Sequence, residues 1–375
     1  MPLGFPPASD SGLNLSFEPV AFEALAGWDL DDHAAAFAAF VKSSAPVLRA
    51  ADAARHAGKP LPPAGLLEVC RQVVDSGTAL LGAAEARAFF ETHFTPHRVR
   101  HNGPEGLLTG YYEPELPGAR EPSDRFRVPV LRRPDDLVNM VTEAERGNVA
   151  DRYTHMRQTN CGLLPYWTRQ QIEQGALAGQ GLEFLWLENE VDTFFMHIQG
   201  SGRIRLPDGT AIRVTYDGKN GHPYTSIGRH LIDAGLFPAD RMTLDALKDW
   251  LKENASRGRE VMWVNKSFVF FRELSGAEAE SAMGVMEIPL SEGRSLAVDT
   301  AFHAIGTPVF VTSETLRHAS GTGFRRLMIA QDVGSAIRGP ERGDIYFGSG
   351  DAAGALAGIT KHPGTFTVLL PKVRS

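Results

Sequence analysis

The chain has 375 residues, 43% hydrophobic and 22% charged, with 38 Lys and Arg against 45 Asp and Glu. That is the balance of a globular protein of about two domains, each large enough for its own core. A net charge of −7 without a Lys/Arg block excludes strong electrostatic attraction to nucleic acid or anionic lipid, and no apolar run approaches the roughly 18 residues of a transmembrane helix.

The first 95 residues read as helical. Asp31 and Asp32 are placed to cap a segment whose Phe37, Phe40, Val41, Val47 and Leu48 recur at near-helical spacing, and further helices are expected through 64–75 and 83–94. No Lys or Arg precedes Lys42, whereas Asp10, Glu18, Glu23, Asp29, Asp31 and Asp32 do, so the basic leader of a secretory signal is not expected in this stretch. Past Pro96 the texture changes to short apolar runs broken by Gly and Pro, the mark of strands in a barrel or sandwich. Phe126–Leu131 alternates as an edge strand tolerant of Pro129, and 183–187 and 193–199 are further strand candidates. A hairpin is predicted for 203–206 against 211–216, with Ile204 and Leu206 opposing Ile212 and Val214 across Pro207-Asp208-Gly209. Two helices follow, capped by Thr225 and Thr243. Strands then return at 261–264, 267–271, 286–290, 296–298, 308–312, 327–331, 345–347 and 366–370. Cys70 and Cys161 lack metal-ligand spacing and are expected as two unpaired, partly buried thiols.

Missing residues exclude several chemistries. There is no phosphate loop ending in Gly-Lys-Ser/Thr, no His-Glu-x-x-His, no Cys-x-x-Cys and no Gly-x-Ser-x-Gly elbow. Gly348-Ser349-Gly350 with Gly354 has the wrong spacing for a dinucleotide loop and reads as a turn; no metal or cofactor is expected. What remains is three carboxylates in Gly-rich strand-turn settings: Asp299 ends one strand, Asp332 ends another and Asp344 opens a third. Singly, each reads as a turn-forming Asp. Converging in a partly apolar cleft, two of them could not both ionise easily, and one would hold a proton near neutral pH.

These aspartates, embedded as Ala-Val-Asp299, Gln-Asp332-Val-Gly-Ser-Ala-Ile-Arg-Gly339 and Gly-Asp344-Ile-Tyr-Phe-Gly348, resemble the three-aspartate domain of bacterial cell-wall lytic enzymes. Upstream, Thr109-Gly-Tyr-Tyr-Glu-Pro114, His197-Ile-Gln-Gly-Ser-Gly202, Tyr216-Asp-Gly-Lys-Asn-Gly-His222, Tyr224-Thr-Ser-Ile-Gly228 and Asn265-Lys-Ser-Phe-Val-Phe-Phe271 occur in the order of the membrane-bound lytic murein transglycosylase A family, which the chain resembles from about Gly106 onward.

The resemblance implies a mainly β protein with N-terminal helices: a double-psi β-barrel formed by residues 1–117 and 261–375, with a smaller barrel, residues 118–260, inserted and a glycan groove between them. It implies cleavage of the β-1,4 bond between N-acetylmuramic acid and N-acetylglucosamine without water, leaving 1,6-anhydromuramic ends. Asp344 would act first as acid and then as base, with Asp332 and Asp299 in support. Thr109, Tyr111, Gln199, Ser201, Lys219, Asn220, His222, Gly334 and Ala336 would bind the substrate. Of Tyr111 and Tyr112, one is expected to face the groove and one the core. Gln199-Gly-Ser-Gly202 reads either as a donor loop for N-acetyl carbonyls or as a hairpin-entry turn, and Lys219 equally as a solvated turn cation. Gly334, Gly339, Gly343 and Gly348 would serve left-handed turns or close backbone approach. Implied partners are peptidoglycan strands and a wall-remodelling complex, with the chain a monomer in the periplasm or at the periplasmic face of the outer membrane. Two rivals stay open: an inverting hydrolase on the same fold, with Asp332 or Asp299 activating water, and a non-catalytic wall-binding module.

Overall fold

The computed structural model describes residues 14–141, 153–318 and 321–372; part of the acidic N-terminal stretch, Asp10 included, lies outside the described residues. The chain opens with β1 (Leu15–Pro19), three helices, α1 (His33–His56), α2 (Ala64–Ser76) and α3 (Ala83–His93), then β2 (Phe94–His101) and β3 (Leu107–Glu113). Next come β4 (Glu115–Ala119), β5 (Val128–Leu131), β6 (Leu137–Asn139), β7 (His155–Thr159), β8 (Gly162–Leu164), α4 (Arg169–Gln171), β9 (Glu183–Leu187) and α5 (Glu190–Gln199). They are followed by β10 (Ser201–Arg205), β11 (Ala211–Lys219), α6 (Ile227–Asp233), α7 (Leu244–Glu253), α8 (Ala255–Val264) and β12 (Val269–Glu273). The last stretch holds β13 (Ser295–Val298), β14 (Pro308–Ser313), β15 (Phe324–Asp332), β16 (Arg342–Ser349), α9 (Asp351–Ile359), β17 (Lys361–Pro363) and β18 (Thr365–Pro371). The protein is thus mostly β with helices near its N-terminus, and no described helix is long and apolar enough to cross a membrane.

Contacts divide the chain into two compact units. The first is built from residues up to Gly110, Met283–Gly348 and the chain from Thr360 onward; the second takes Tyr111–Ala282 and Ser349–Ile359. The sequence-based junctions at 117/118 and 260/261 therefore both lie inside the second unit.

The first unit holds a sheet of order β1-β2-β18-β14-β15-β13-β16-β3-β17. One face is apolar: a Cβ placed on Gly343 would meet Phe366, Leu296 and Leu108, so these side chains share that face. On the other face Ser295 Oγ bonds Gln331, whose Nε2 donates to Ala39 O and Ser43 Oγ of α1, both at 2.8 Å. Asp32 caps α1 by accepting from Ala35 N (3.0 Å). Asp31 is instead buried, taking both terminal nitrogens of Arg294 at 2.9 Å and Leu327 N at 2.6 Å. Phe37 and Phe40 of α1 stack edge-on or tilted against Phe89, Phe90 and Phe94.

The second unit holds a sheet of order β12-β11-β10-β4-β9-β5 and a small one of order β6-β7-β8. Val130, Leu185, Met196, Ile204, Val214 and Phe271 form one core, and Val191, Phe194, Ile227, Leu231 and Leu251 another among the helices. Pro129 lies on β5, an edge strand, where its missing N–H costs no ladder bond.

Several expected elements differ. The stretch 193–199 is not a strand but the body of α5, because Asn189 caps it through Val191 N (2.8 Å) and Asp192 N (3.2 Å) and its apolar residues bury at helical spacing. Likewise 261–264 ends helix α8, where Val261 and Met262 pack with Leu247 and Leu251. The 286–290 stretch is a turn with Met286 and Glu287 at φ 59° and 58°, closed by one bridge, Met283 to Pro289. In the hairpin Ile204 faces Ile212, but Val214 faces Gly202 rather than Leu206. Ser226, not Thr225, caps α6. Both cysteines are free, Cys70 buried and Cys161 exposed; burial pushes the Cys70 thiol up to about 11.

Candidate active site

In the first unit, β13 lies between β15 and β16. Ala297 of β13 pairs with Asp332 on one side and with Asp344 on the other. Paired residues point to the same face, so the two carboxylates flank one small methyl on a single row. Their Cα atoms are two strand spacings of ~4.8 Å, about 10 Å, apart. Ser295, two residues before Ala297, places this row on the face that α1 partly covers. The register slips between Leu296 and Ala297, making Gln331 an extra residue in β15. This bulge lets Gln331 turn into α1 while Asp332 keeps its place in the row.

Asp344 is half-buried. Thr109 Oγ1 donates to its Oδ1 at 2.6 Å, and Arg342 Nη2 donates to that same Thr109 oxygen at 2.8 Å. Arg342 Nη1 also donates to Gly343 O at 2.6 Å. Burial pushes the Asp344 carboxyl above the usual carboxylate range, while the Arg342 charge and the Thr109 hydroxyl pull the other way. The elevation expected from a second carboxylate is therefore replaced by one caused by burial: no acidic neighbour contributes to it. A carboxyl raised in this way holds its proton more readily than an ordinary one, which suits a general acid.

Asp299 does different work. Only 4% exposed, it accepts from Ala301 N (3.1 Å) and Gly339 N (2.8 Å), pinning the turn after β13 to the loop before β16. Gly339 adopts φ 117° there, a conformation that favours glycine. Asp332 accepts from Val333 N at 2.8 Å. Gly334 and the exposed Ala336 lie on the loop that follows.

The second unit holds the other sequence-derived residues. Gln199 ends α5 and accepts from Tyr112 N through Oε1 (3.1 Å); Tyr112 is buried and Tyr111 half-buried, as strand alternation requires. Gly200 at φ 78° terminates α5, so the 199–202 segment is a helix end leading into β10, with Ser201 buried opposite Thr215. Lys219 is buried rather than a solvated turn cation. Asn220 is fully enclosed: Nδ2 donates to Trp167 O and Lys266 O, both at 2.8 Å, and Oδ1 accepts from Phe268 N at 2.9 Å. His222 Nε2 donates to Tyr166 O at 2.9 Å. Asn220 and His222 thus spend these atoms on the protein itself.

Sequence reading missed Arg342. Its signal was present in Arg342-Gly-Asp344, since i and i+2 on a strand share a face. It also missed Glu113, fully buried against Arg213 Nε (2.8 Å) and Ser349 Oγ (2.6 Å).

Residues 107–272 match the MltA specific insert domain and residues 294–370 the 3D domain. The chain is 34% identical over 263 residues to the membrane-bound lytic murein transglycosylase A of Vibrio cholerae, covering 69% of this chain and 63% of that relative. It thus spans somewhat under two thirds of the curated relatives it matches. A crystal structure of a membrane-bound lytic murein transglycosylase from Agrobacterium tumefaciens aligns with TM-score 0.81 at 34% identity, over 95% of this chain and 98% of that one. The structure of Escherichia coli MltA with bound chitohexaose aligns with TM-score 0.64 at 26% identity, over 96% of this chain and 95% of that one. With both domains matched in order and a relative aligned over nearly its whole length, the chain belongs to the membrane-bound lytic murein transglycosylase A family.

Proposed function

We propose that the protein is a peptidoglycan lytic transglycosylase, cleaving the β-1,4 bond between N-acetylmuramic acid and N-acetylglucosamine with formation of a 1,6-anhydromuramic end. The observation that carries this reading is Asp344: a half-buried carboxyl raised by burial, held on one oxygen by Thr109, in a chain of this family. In the reaction Asp344 gives its proton to the glycosidic oxygen as the bond to C1 breaks. The C6 hydroxyl oxygen of the same sugar then bonds to C1 and returns its proton to Asp344. The nucleophile comes with the substrate, so proximity replaces an activated water.

Asp332, in the same row, supports the glycan at the cleavage point, and Asp299 supports by holding the surrounding loops. Thr109 acts on Asp344 itself. Tyr111, Gln199, Ser201, Lys219, Gly334 and Ala336 remain candidates for glycan contact. We further assign the first unit to a double-psi β-barrel and the second to the inserted smaller barrel. The protein works as a monomer on glycan strands at the periplasmic face of the cell envelope, in keeping with the membrane-bound relatives.

One observation favours a second reading, an inverting hydrolase with a second carboxylate as base: Asp332 and Asp344 both pair with Ala297, one on each side of β13. Digestion of purified peptidoglycan with mass analysis of the released muropeptides separates the two. Products one water lighter than hydrolysis would give support the transglycosylase; free reducing ends support the hydrolase. Asp344→Asn is expected to lose roughly 10²–10⁴-fold in turnover while remaining folded, and full activity in that variant would remove Asp344 from the mechanism.

A further inference from the structure

Arg342 is a residue to which the acid–base scheme gives no part, yet it touches the group that touches Asp344. Its Nη2 donates to Thr109 Oγ1, and Thr109 Oγ1 donates to Asp344 Oδ1. A hydroxyl has one proton to give. A guanidinium cannot accept that proton and does not lose its own at any working pH. The Thr109 proton therefore has one direction open to it, toward Asp344 Oδ1, and Oδ1 is kept as an acceptor in both protonation states of the carboxyl.

We propose that Arg342 is a positioning residue: by occupying the Thr109 oxygen it aims the Thr109 hydroxyl at Asp344 Oδ1, and so leaves Oδ2 as the oxygen that gives and retakes the reaction's proton. This rests on the reading of Asp344 as acid and base. The balance is closed. The proton leaves Oδ2 for the glycosidic oxygen, the C1–O bond breaks, the C6 oxygen bonds to C1, and the C6 hydroxyl proton returns to Oδ2. One oxygen faces both steps, so the carboxyl need not rotate between them.

The charged groups around Asp344 are few. Its own strand brings Arg342; β13 brings the uncharged Ala297; β15 brings Asp332 in the same row; β3 brings Thr109; and β17 brings Lys361, paired opposite Thr109. Arg342 is the cation that acts on Asp344.

The test is the pH profile of glycan cleavage on purified peptidoglycan by Arg342→Met, Arg342→Lys and Thr109→Val. Arg342→Met removes a positive charge that favours ionised Asp344, so the alkaline limb, where the acid is lost, is expected to move up by about one pH unit or more. Thr109→Val keeps the charge and removes the hydrogen bond, so its limb moves up less. Arg342→Lys keeps a charge without the planar fork and is expected to return the limb toward the wild-type position. All three should lose turnover, roughly tenfold or more, because the carboxyl is no longer held in one orientation.

An Arg342 that acts only by its charge, or only by stitching Gly343 O to its neighbours, would cost as much turnover in the Thr109→Val background as in the wild type, whereas the aiming role makes the two losses non-additive. A wild-type limb in both folded Arg342→Met and Thr109→Val overturns the proposal; if Arg342→Met does not fold, Thr109→Val decides. Asp344→Asn run alongside separates the two failures. If it stays active, the acid–base reading falls; if it is inactive while the limbs do not move, only the role of Arg342 falls.

Discussion

Gly343→Ala tests how tightly the fold holds Asp344. Gly343 lies between Arg342 and Asp344 on β16 and faces the apolar side of the sheet. A Cβ there would come within 2.8 Å of Phe366 Cζ, 3.0 Å of Leu296 Cδ1 and 3.3 Å of Leu108 Cδ2. Ordinary carbon contacts lie at about 3.5–4.0 Å, so β16 must rise off its neighbours by ~0.8 Å or the neighbours must yield. They have little room to yield, since Phe366, Leu296 and Leu108 are all fully buried. Overpacking of this kind costs about 1–3 kcal/mol, a fall of roughly 2–12 °C in the melting temperature of a unit this size. The same displacement carries Asp344 and Arg342 with it, and a misplacement near 1 Å can cost on the order of 10²-fold in rate. Calorimetry paired with muropeptide release from peptidoglycan reads both. Lower stability with undiminished turnover per folded molecule would refute the idea that this packing places the carboxyl, and unchanged stability would refute the packing argument itself.

Asn220→Ala should leave Trp167 O and Phe268 N buried without their partner, while Lys266 O keeps its bond from Arg169 N. At about 1–3 kcal/mol for each of the two orphans, the denaturation midpoint should fall by an amount worth about 2 kcal/mol or more, while KM for glycan in the folded fraction stays unchanged. His197 and His303 are buried, and burial lowers both below the ordinary imidazole range. The unfolded chain binds their protons before the folded one does, so stability is expected to be full above pH ~6.5 and to fall as pH drops below it; a melting temperature flat from pH 7 to 5 would contradict this. Asp299→Asn gives up one of two acceptor oxygens facing Ala301 N and Gly339 N and should cost about 1–2 kcal/mol without moving the pH limbs of activity; a moved limb would place Asp299 in the chemistry.

The strands around the candidate site were legible because each carries a short apolar run, buried nearly throughout, set off by polar residues. The 295–298, 308–313 and 324–332 strands are examples, and Asp332 falls at a strand end as read. The 193–199 segment was misread because Thr, Phe and Ile carry strand propensity, and the Asn189 cap that commits it to helix lies four residues upstream. The internal hydrogen bonds of Asn220 and His222 were not legible for another reason. A polar side chain in a family motif looks the same in sequence whether it meets a ligand or closes a loop, and which it does depends on carbonyls some 50 residues away in the chain. Arg342 was not legible because its two-residue spacing from Asp344 implies a shared face but not the contact through Thr109, which lies far away in the chain.

Those three aspartates are alike in sequence and unlike in physics. Asp299 spends its oxygens on backbone N–H groups of two loops and so holds those loops together. Asp332 sits at a bulge and accepts from its own next residue, which fixes the direction of its carboxylate. Asp344 has its carboxyl raised by burial, and one of its oxygens is already committed to Thr109. A single carboxyl that must be acid in one step and base in the next needs this combination: enough desolvation to hold a proton, enough opposing charge from Arg342 to release it, and one oxygen held back so that the other faces the bond.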